Sequence, residues 1–412
     1  MKWIWRYTLE KLLKRKAAED SMFIPVGKLI VALVWAFWMM GTDSTLGQKM
    51  TPHDHSKMSI EERRTVQKLW EKQDEEPKPE YIPTYGSTFD RVVERGQVIC
   101  GTKEDFPGFS ESGWDSDSDD GIVWFGFDVD ICREVAAAVL GDADAVEYVV
   151  VDGKTRFEYL IDGSIDMLSA ATTYTFTRNV TKKLEFLPTT FYDGQGFITK
   201  KVLGVSSVKQ MVGAKVCFSS TGTAAKNIAD FFQLHEIKYI PIVVPVGEKS
   251  KDWYIRGDCD MYGTDRSGLA SNRIGFKDSE WHIILPEIIS KEPLGPVVKY
   301  GDQKWSDIVR WSVYVLFIAE ELKINSKNID DFKEHIDPNI QRFMGELNGA
   351  HHSNLGSKLG LSPTWSYDII DQVGNYKEIY ERNVGPNTPL GLERGLNKLY
   401  KEGGLLYAPP LR

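Results

Sequence analysis

The stretch GFDVDICREVAAAV, Gly126 to Val139, constrains the fold more than any other part of this chain. Apolar Phe127 and Val129 alternate with acidic Asp128 and Asp130, the period of a half-buried strand. From Ile131 onward, Val135, Ala136 and Val139 return at helical spacing. The pattern predicts a strand end feeding a buried helix, an arrangement that points to a ligand cleft. Its surroundings agree, because QVICGT, VEYVVVD and IDMLSAATT read as strands and the segment from Lys154 to Asp162 reads as a helix.

With 412 residues, 42% of them apolar and 12% aromatic, the chain can bury more than one core, so two lobes are expected. Its net charge is -9, and residues 48–412 hold 43 bases against 55 acids, a balance that argues against a nucleic-acid surface. The N-terminus is different in character. Seven bases, the last of them Lys28, precede the apolar run LIVALVWAFWMMG at 29–41, which is the order of an export signal. That run is shorter than the roughly 20 residues of a membrane-spanning helix. Residues 1–47 are therefore expected to be a signal peptide cut before Gln48, or else a membrane anchor, with Met22 as an alternative start.

Residues 48–87 read as a polar linker, with one amphipathic segment from Ser59 to Gln73. His53 and His55 lack further ligands nearby. The alternating acids Asp115, Asp117 and Asp119 have Asp120 and Gly126 where a calcium loop needs Gly and Glu. No metal and no other cofactor is expected. Further along, TFYDGQGFITK (190–200) leads into a second α/β segment containing AKVCFSSTGTAAKNIADFF, YIPIVVPV and CDMYGTDRSGLASNR. The chain then returns through EIISKEPLGPVVKYG. Lobe 1 is expected over 88–192 and lobe 2 over 193–299, with 300–412 packing back on the lobes. Two crossings far apart in sequence suit a hinged clamshell.

In order along the chain, GFDVDICREVAAAV, TYTFTRN, YDGQGF, EIISKEPLGP and YAPPLR resemble the motifs of the family 3 extracellular solute-binding proteins, and among these the general L-amino-acid receptors of ABC importers. The resemblance runs from Thr88 to Arg412. It implies an α/β, two-lobe periplasmic-binding-protein clamshell of type II joined by two hinge strands. It also implies a periplasmic, monomeric receptor for a broad range of L-amino acids, with ABC permease subunits as partners and no catalysis.

An amino acid presents a carboxylate and an ammonium on one carbon, so its receptor needs a bidentate cation and an acid in a dry site. On the resemblance, Arg178 is the carboxylate clamp, flanked by Thr172 and Thr173, while Gly222 and Thr223 offer a helix start that favours an anion. Asp265 stands where the family has its amine-binding acid. Phe109, preferred to Phe106, is expected to wall the side-chain pocket, and Asp128 and Asp130 are expected to be structural. Each assignment has a plainer rival. Arg178 could pair with Glu185, Thr-Gly-Thr could simply cap a helix, and either Phe could cap the core.

The four cysteines fall two by two into the two lobes, and after an export signal they are expected to form disulfides. Pairing Cys100 with Cys132 and Cys217 with Cys259 leaves the cleft uncrossed. Two other functions remain open at this level, a membrane-anchored amino-acid sensor and a dehydratase on the same clamshell. The chain has no GxSxG, HExxH or P-loop, so no catalytic residue is assigned.

Overall fold

Two five-stranded sheets organise the chain in the computed structural model, which describes residues 87–114, 121–345 and 355–412. The expected signal, linker and acidic run at 115–120 lie outside those residues. The first sheet contains β1 (Val98–Thr102), β4 (Val146–Val150), β5 (Met167–Leu168), β6 (Leu184–Phe186) and β14 (Val297–Lys299), in the order β4-β1-β5-β14-β6. Strands β4 and β5 run parallel to β1, with Cys100 opposite both Tyr148 and Met167. Strand β14 is antiparallel to β5 and β6.

The signature stretch differs from its sequence reading. The strand lies earlier, where β2 (Glu111–Trp114) and β3 (Ile122–Phe125) form a hairpin, and Phe127–Leu140 is helical throughout. We label this helix α2, after α1 (Thr88–Arg95). Alternation over four residues misled because both acids have partners of their own in the first turn of a helix. Asp128 accepts from the Ser169 hydroxyl and the Ala171 N–H, whereas Asp130 bonds Arg382 and Asn383. Gly126 makes the helix start possible: its φ of 129° is left-handed, and a Cβ there would collide with the Phe109 carbonyl. Cys132 sits in the second turn of this helix and is bonded to Cys100.

The second sheet is ordered β10-β9-β11-β8-β12, from β8 (Gln195–Lys200), β9 (Lys215–Ser219), β10 (Ile240–Val244), β11 (Met261–Asp265) and β12 (His282–Ile284). Cys217 in β9 bonds Cys259, just ahead of β11. Each disulfide thus ties one lobe internally. Loops closed by sequence separations of 32 and 42 residues each contribute about 4 kcal/mol through lost chain entropy.

Between the sheets, β7 (Phe191–Asp193) pairs antiparallel with β13 (Glu292–Leu294), bringing Asp193 opposite Glu292. This two-stranded ladder is the crossing in both directions. Strand β14 has already rejoined the first sheet, so the return lies at 292–294, ahead of the expected boundary at 299. From residue 303 the chain packs on lobe 1, where the largest core joins Phe109, Phe127 and Phe191 to Trp305, Phe317, Tyr376 and Tyr380. Lobe 2 has two smaller cores, one on either side of its sheet, around Phe197 and Phe232 and around Tyr254 and Leu269.

Candidate functional site

Asp128, at the start of α2, connects the signature to the cleft. Its carboxylate accepts from the Ala171 N–H at 2.8 Å and the Ser169 hydroxyl at 3.3 Å. Ala171 adopts a left-handed φ of 43°, a strained conformation costing about 1–2 kcal/mol without such support. Burial pushes the Asp128 carboxyl up to about 6, opposed by the Lys103 charge and by these two donors. The strained turn hands Thr172 and Thr173 to the hinge ladder. Gly295 N–H donates to the Thr172 carbonyl, Thr173 bridges to Leu294, and Tyr174 N–H donates to the Pro293 carbonyl.

Arg178 follows in a single π-helical turn, Thr177–Thr181. It is 8% exposed, and its Nη1 donates to the Thr173 carbonyl at 2.7 Å, which fixes the guanidinium beside the two threonines. The ion pair with Glu185 is not formed, because Arg310 takes that carboxylate at 2.9 Å. Burial pulls the Arg178 pKa below the arginine range, while Glu292 and Asp265 draw it back up. No carboxylate forms an ion pair with it among the described residues.

Opposite, Gly222 with a φ of 92° and Thr223 precede the helix α4 (Ala224–Leu234), which comes after α3 (Thr155–Asp162) in the chain. Thr223 occupies the N-cap position of that helix, but its side chain accepts from none of the helix N–H groups. Its hydroxyl donates to Glu292 at 3.2 Å, and Glu292, 1% exposed, also accepts from Asn227 and Ser290. The first turn of α4 therefore keeps N–H groups unspent by a side-chain cap, next to a cavity that Gly222 and Thr223 share with Arg178. A cavity of ≈ 610 Å³ opens here, lined by Arg156, Phe157, Thr175, Thr177 and Arg178 from lobe 1 and by Gly222, Thr223 and Asn227 from lobe 2.

Asp265 ends β11 and precedes α6 (Arg266–Ile274), the helix that follows α5 (Ser250–Arg256). Its carboxylate accepts no hydrogen bond from any described residue. Burial, reinforced by the nearby negative charges of Asp193 and Glu292, pushes it up to about 7, against the pull of Lys103 and Arg178. Lys103 faces Asp265 and Asp128 from the end of β1, and burial together with Arg156 holds it down to about 8. Asp260, two residues into CDMYGTD, accepts from the Lys215 N–H at 2.8 Å and holds β9, a fold role.

The two phenylalanines of GTKEDFPGF exchange places relative to the sequence reading. Phe109 is 1% exposed and enclosed by Phe106, Phe127 and Phe191, so it belongs to the lobe 1 core. Phe106 stacks on it with centroids 4.6 Å apart and is the half-buried ring. The Lys103 ammonium lies over it at 4.6 Å, and Gly268 of lobe 2 lies close by. The cause is Asp105, whose left-handed φ of 55° turns the loop so that Phe106 meets the other lobe. Asp105 also pairs across the cleft with Lys249 at 2.6 Å and Lys251 at 3.1 Å, so the lobes stand closed.

Lys103, Arg156 and Glu292 are absent from the set expected from sequence, in which Phe106 stood as the second choice to Phe109. Arg156 had a readable signal: it shares with Leu160 the i, i+4 spacing of the buried face of α3, a position for an apolar residue.

Comparison with known proteins places these features in a family. The profile of the bacterial extracellular solute-binding proteins, family 3, matches residues 98–346. The general L-amino acid-binding periplasmic protein AapJ of Rhizobium johnstonii is 44% identical over 79% of this chain and 93% of its own length. The glutamate/glutamine/aspartate/asparagine-binding protein BztA of Rhodobacter capsulatus is 44% identical over 79% of this chain and 94% of its own. Among solved structures, an ABC transporter/periplasmic binding protein from Brucella ovis with glutathione bound is 39% identical. It covers 80% of this chain and is itself covered in full, with a TM-score of 0.75.

Proposed function

We propose, from the premise that this chain belongs to the bacterial extracellular solute-binding proteins of family 3, that it captures L-amino acids between its lobes outside the cytoplasmic membrane and passes them to the permease subunits of an ABC importer. The relatives' names support this reading, one being general for L-amino acids and another naming four of them. Arg178 receives the ligand carboxylate, with Thr172 and Thr173 beside it and the Gly222–Thr223 helix start facing it. Asp265 receives the ammonium, and Phe106 walls the side chain.

The observation that carries this reading is a pair of unsatisfied opposite charges from different lobes. Arg178 and Asp265 are close enough to shift each other's protonation, yet neither forms an ion pair among the described residues. A zwitterion supplies both missing partners at once. Because it touches both walls only when they are together, binding favours the closed state. The receptor acts as a monomer, and it returns its ligand unchanged, the latter in keeping with the binding-protein names of its relatives. The segment at 29–41 serves as an export signal or a tether, which N-terminal sequencing of the exported protein distinguishes.

The test is thermal unfolding of the purified protein against the twenty amino acids. We expect Tm to rise by several degrees with many L-amino acids, and a Tm that moves with none of them overturns the proposal. Turnover of prephenate or arogenate would replace binding with catalysis.

A further inference from the structure

A larger cavity than the one at the cleft, ≈ 860 Å³, opens on lobe 2 at the end of the second sheet away from the hinge. Asp265 stands opposite Gln195, the first residue of β8, whereas His282 of β12 stands opposite Lys200, the last. Steps of about 3.3 Å along that strand put the cavity roughly 17 Å from the amino-acid site. Its lining is mostly apolar where solvent favours polar groups. Val202 is 83% and Trp281 65% exposed, Ile255 is exposed with them, and half-buried Phe276 lines the same hollow. Exposed apolar side chains scattered singly are ordinary, but several around one hollow of this size, within the roughly 300–1,000 Å³ of small-molecule sites, mark a place where something binds.

His282 adds a directed polar group. It is buried, and its Nδ1 lies 2.7 Å from the hydroxyl of Tyr254, a fully enclosed side chain that has no other hydrogen-bond partner among the described residues. The hydroxyl therefore donates to Nδ1, because the reverse arrangement would leave its proton buried without an acceptor. Burial and the Lys200 charge pull the His282 pKa below the usual histidine range, against Asp278 and Glu280, so the ring is neutral and its remaining proton sits on Nε2. No described residue accepts from Nε2, while the ring lines the cavity. Lys200, Lys201 and Lys277 surround it against Asp278 and Glu280, and none of these side chains forms an ion pair among the described residues.

We propose that this hollow is a second ligand site, separate from the amino-acid cleft, for a small organic anion with an aromatic or branched apolar body. The body lies against Trp281, Phe276, Ile255 and Val202. Its anionic group accepts from His282 Nε2 and pairs with Lys200, the cation close enough to shift the ring's protonation. Capture of an amino acid in the cleft uses none of these residues, so the site stands whether or not that reading holds.

Fluorescence titration of the full chain with 8-anilinonaphthalene-1-sulfonate tests this. We expect saturable binding of one probe per chain, unchanged in Arg178→Ala, which disables the cleft. Trp281→Ala, at an exposed position, should weaken it by about tenfold or more. Indole-3-propionate should displace the probe at about a tenfold lower concentration than indole-3-propionamide, its uncharged counterpart, as a charge-assisted hydrogen bond requires. His282→Phe should bring acid and amide within about threefold of each other, and where that variant does not fold, Lys200→Gln must do so. Probe binding that is absent, lost in Arg178→Ala or untouched by Trp281→Ala overturns the proposal, as does equal displacement by acid and amide. A dimer in sedimentation that Trp281→Ala dissolves would make the hollow a contact between copies of the chain, and overturns it too.

Discussion

The two walls of the cleft are built differently. Lobe 1 brings Arg156 and Arg178, buried, and Lys103, half-buried, and backs these three cations on long side chains with the largest core of the molecule, which continues into the C-terminal helices. Lobe 2 brings one carboxylate, Asp265, and the open turn at Gly222–Thr223, on a sheet between two small cores. Long desolvated cations hold their geometry only against a rigid support. A carboxylate on a strand end and backbone N–H groups need less, so the lighter lobe can carry them and move.

If that contrast is right, damage to the support of lobe 1 should have the largest effect. Phe109→Ala is expected to lower stability by about 3–5 kcal/mol in urea unfolding, as loss of a buried aromatic does. A cost below about 1 kcal/mol would mean that the ring supports little. Arg178→Ala should next cost about 2–5 kcal/mol of ligand affinity by calorimetry while the protein stays folded. Undiminished binding would move the carboxylate site elsewhere.

Asp265 tests the other wall through pH. Its carboxyl is raised to about 7 in the free protein, and an ammonium favours the ionised form, so binding releases a proton below that pH. Affinity should hold above about pH 7 and fall by about tenfold per pH unit below it, with Asp265→Asn abolishing the slope. A flat profile in the wild type would remove Asp265 from the ammonium site. The smallest effect is expected at the rim, where the pairs of Asp105 with Lys249 and Lys251 are half exposed. Asp105→Ala should weaken binding by about 0.5 kcal/mol and mainly speed release, which stopped-flow fluorescence would show.

Much of this was readable from the chain, in proportion to how local the cause was. Arg178 and its threonines lie in one segment, and Gly222–Thr223 stands at a helix start that its own residues announce. The structure brings Arg178 and Gly222–Thr223 to the same cavity. The signature was misread at its first turn because four alternating residues fit a strand as well as a helix, and the partners of Asp128 lie about forty residues away. Which of Phe106 and Phe109 faces the cleft depends on the backbone sign at Asp105, which no periodicity encodes. Glu292 looked like part of a return strand, and only its pairing opposite Asp193 places it between the lobes.

The position of β14 also orders events during synthesis. In the finished sheet, β6 has one neighbour, and that neighbour is β14, at residues 297–299. As the chain emerges from its N-terminus, lobe 2 holds all five of its strands and both cysteines by residue 284, whereas β6, just beyond Arg178, still lacks the strand that anchors it to the sheet. The ligand-gripping wall, although encoded first, is therefore completed last. Its supporting core closes later still, when Tyr376 and Tyr380 of the C-terminal helices join Phe109 and Phe127.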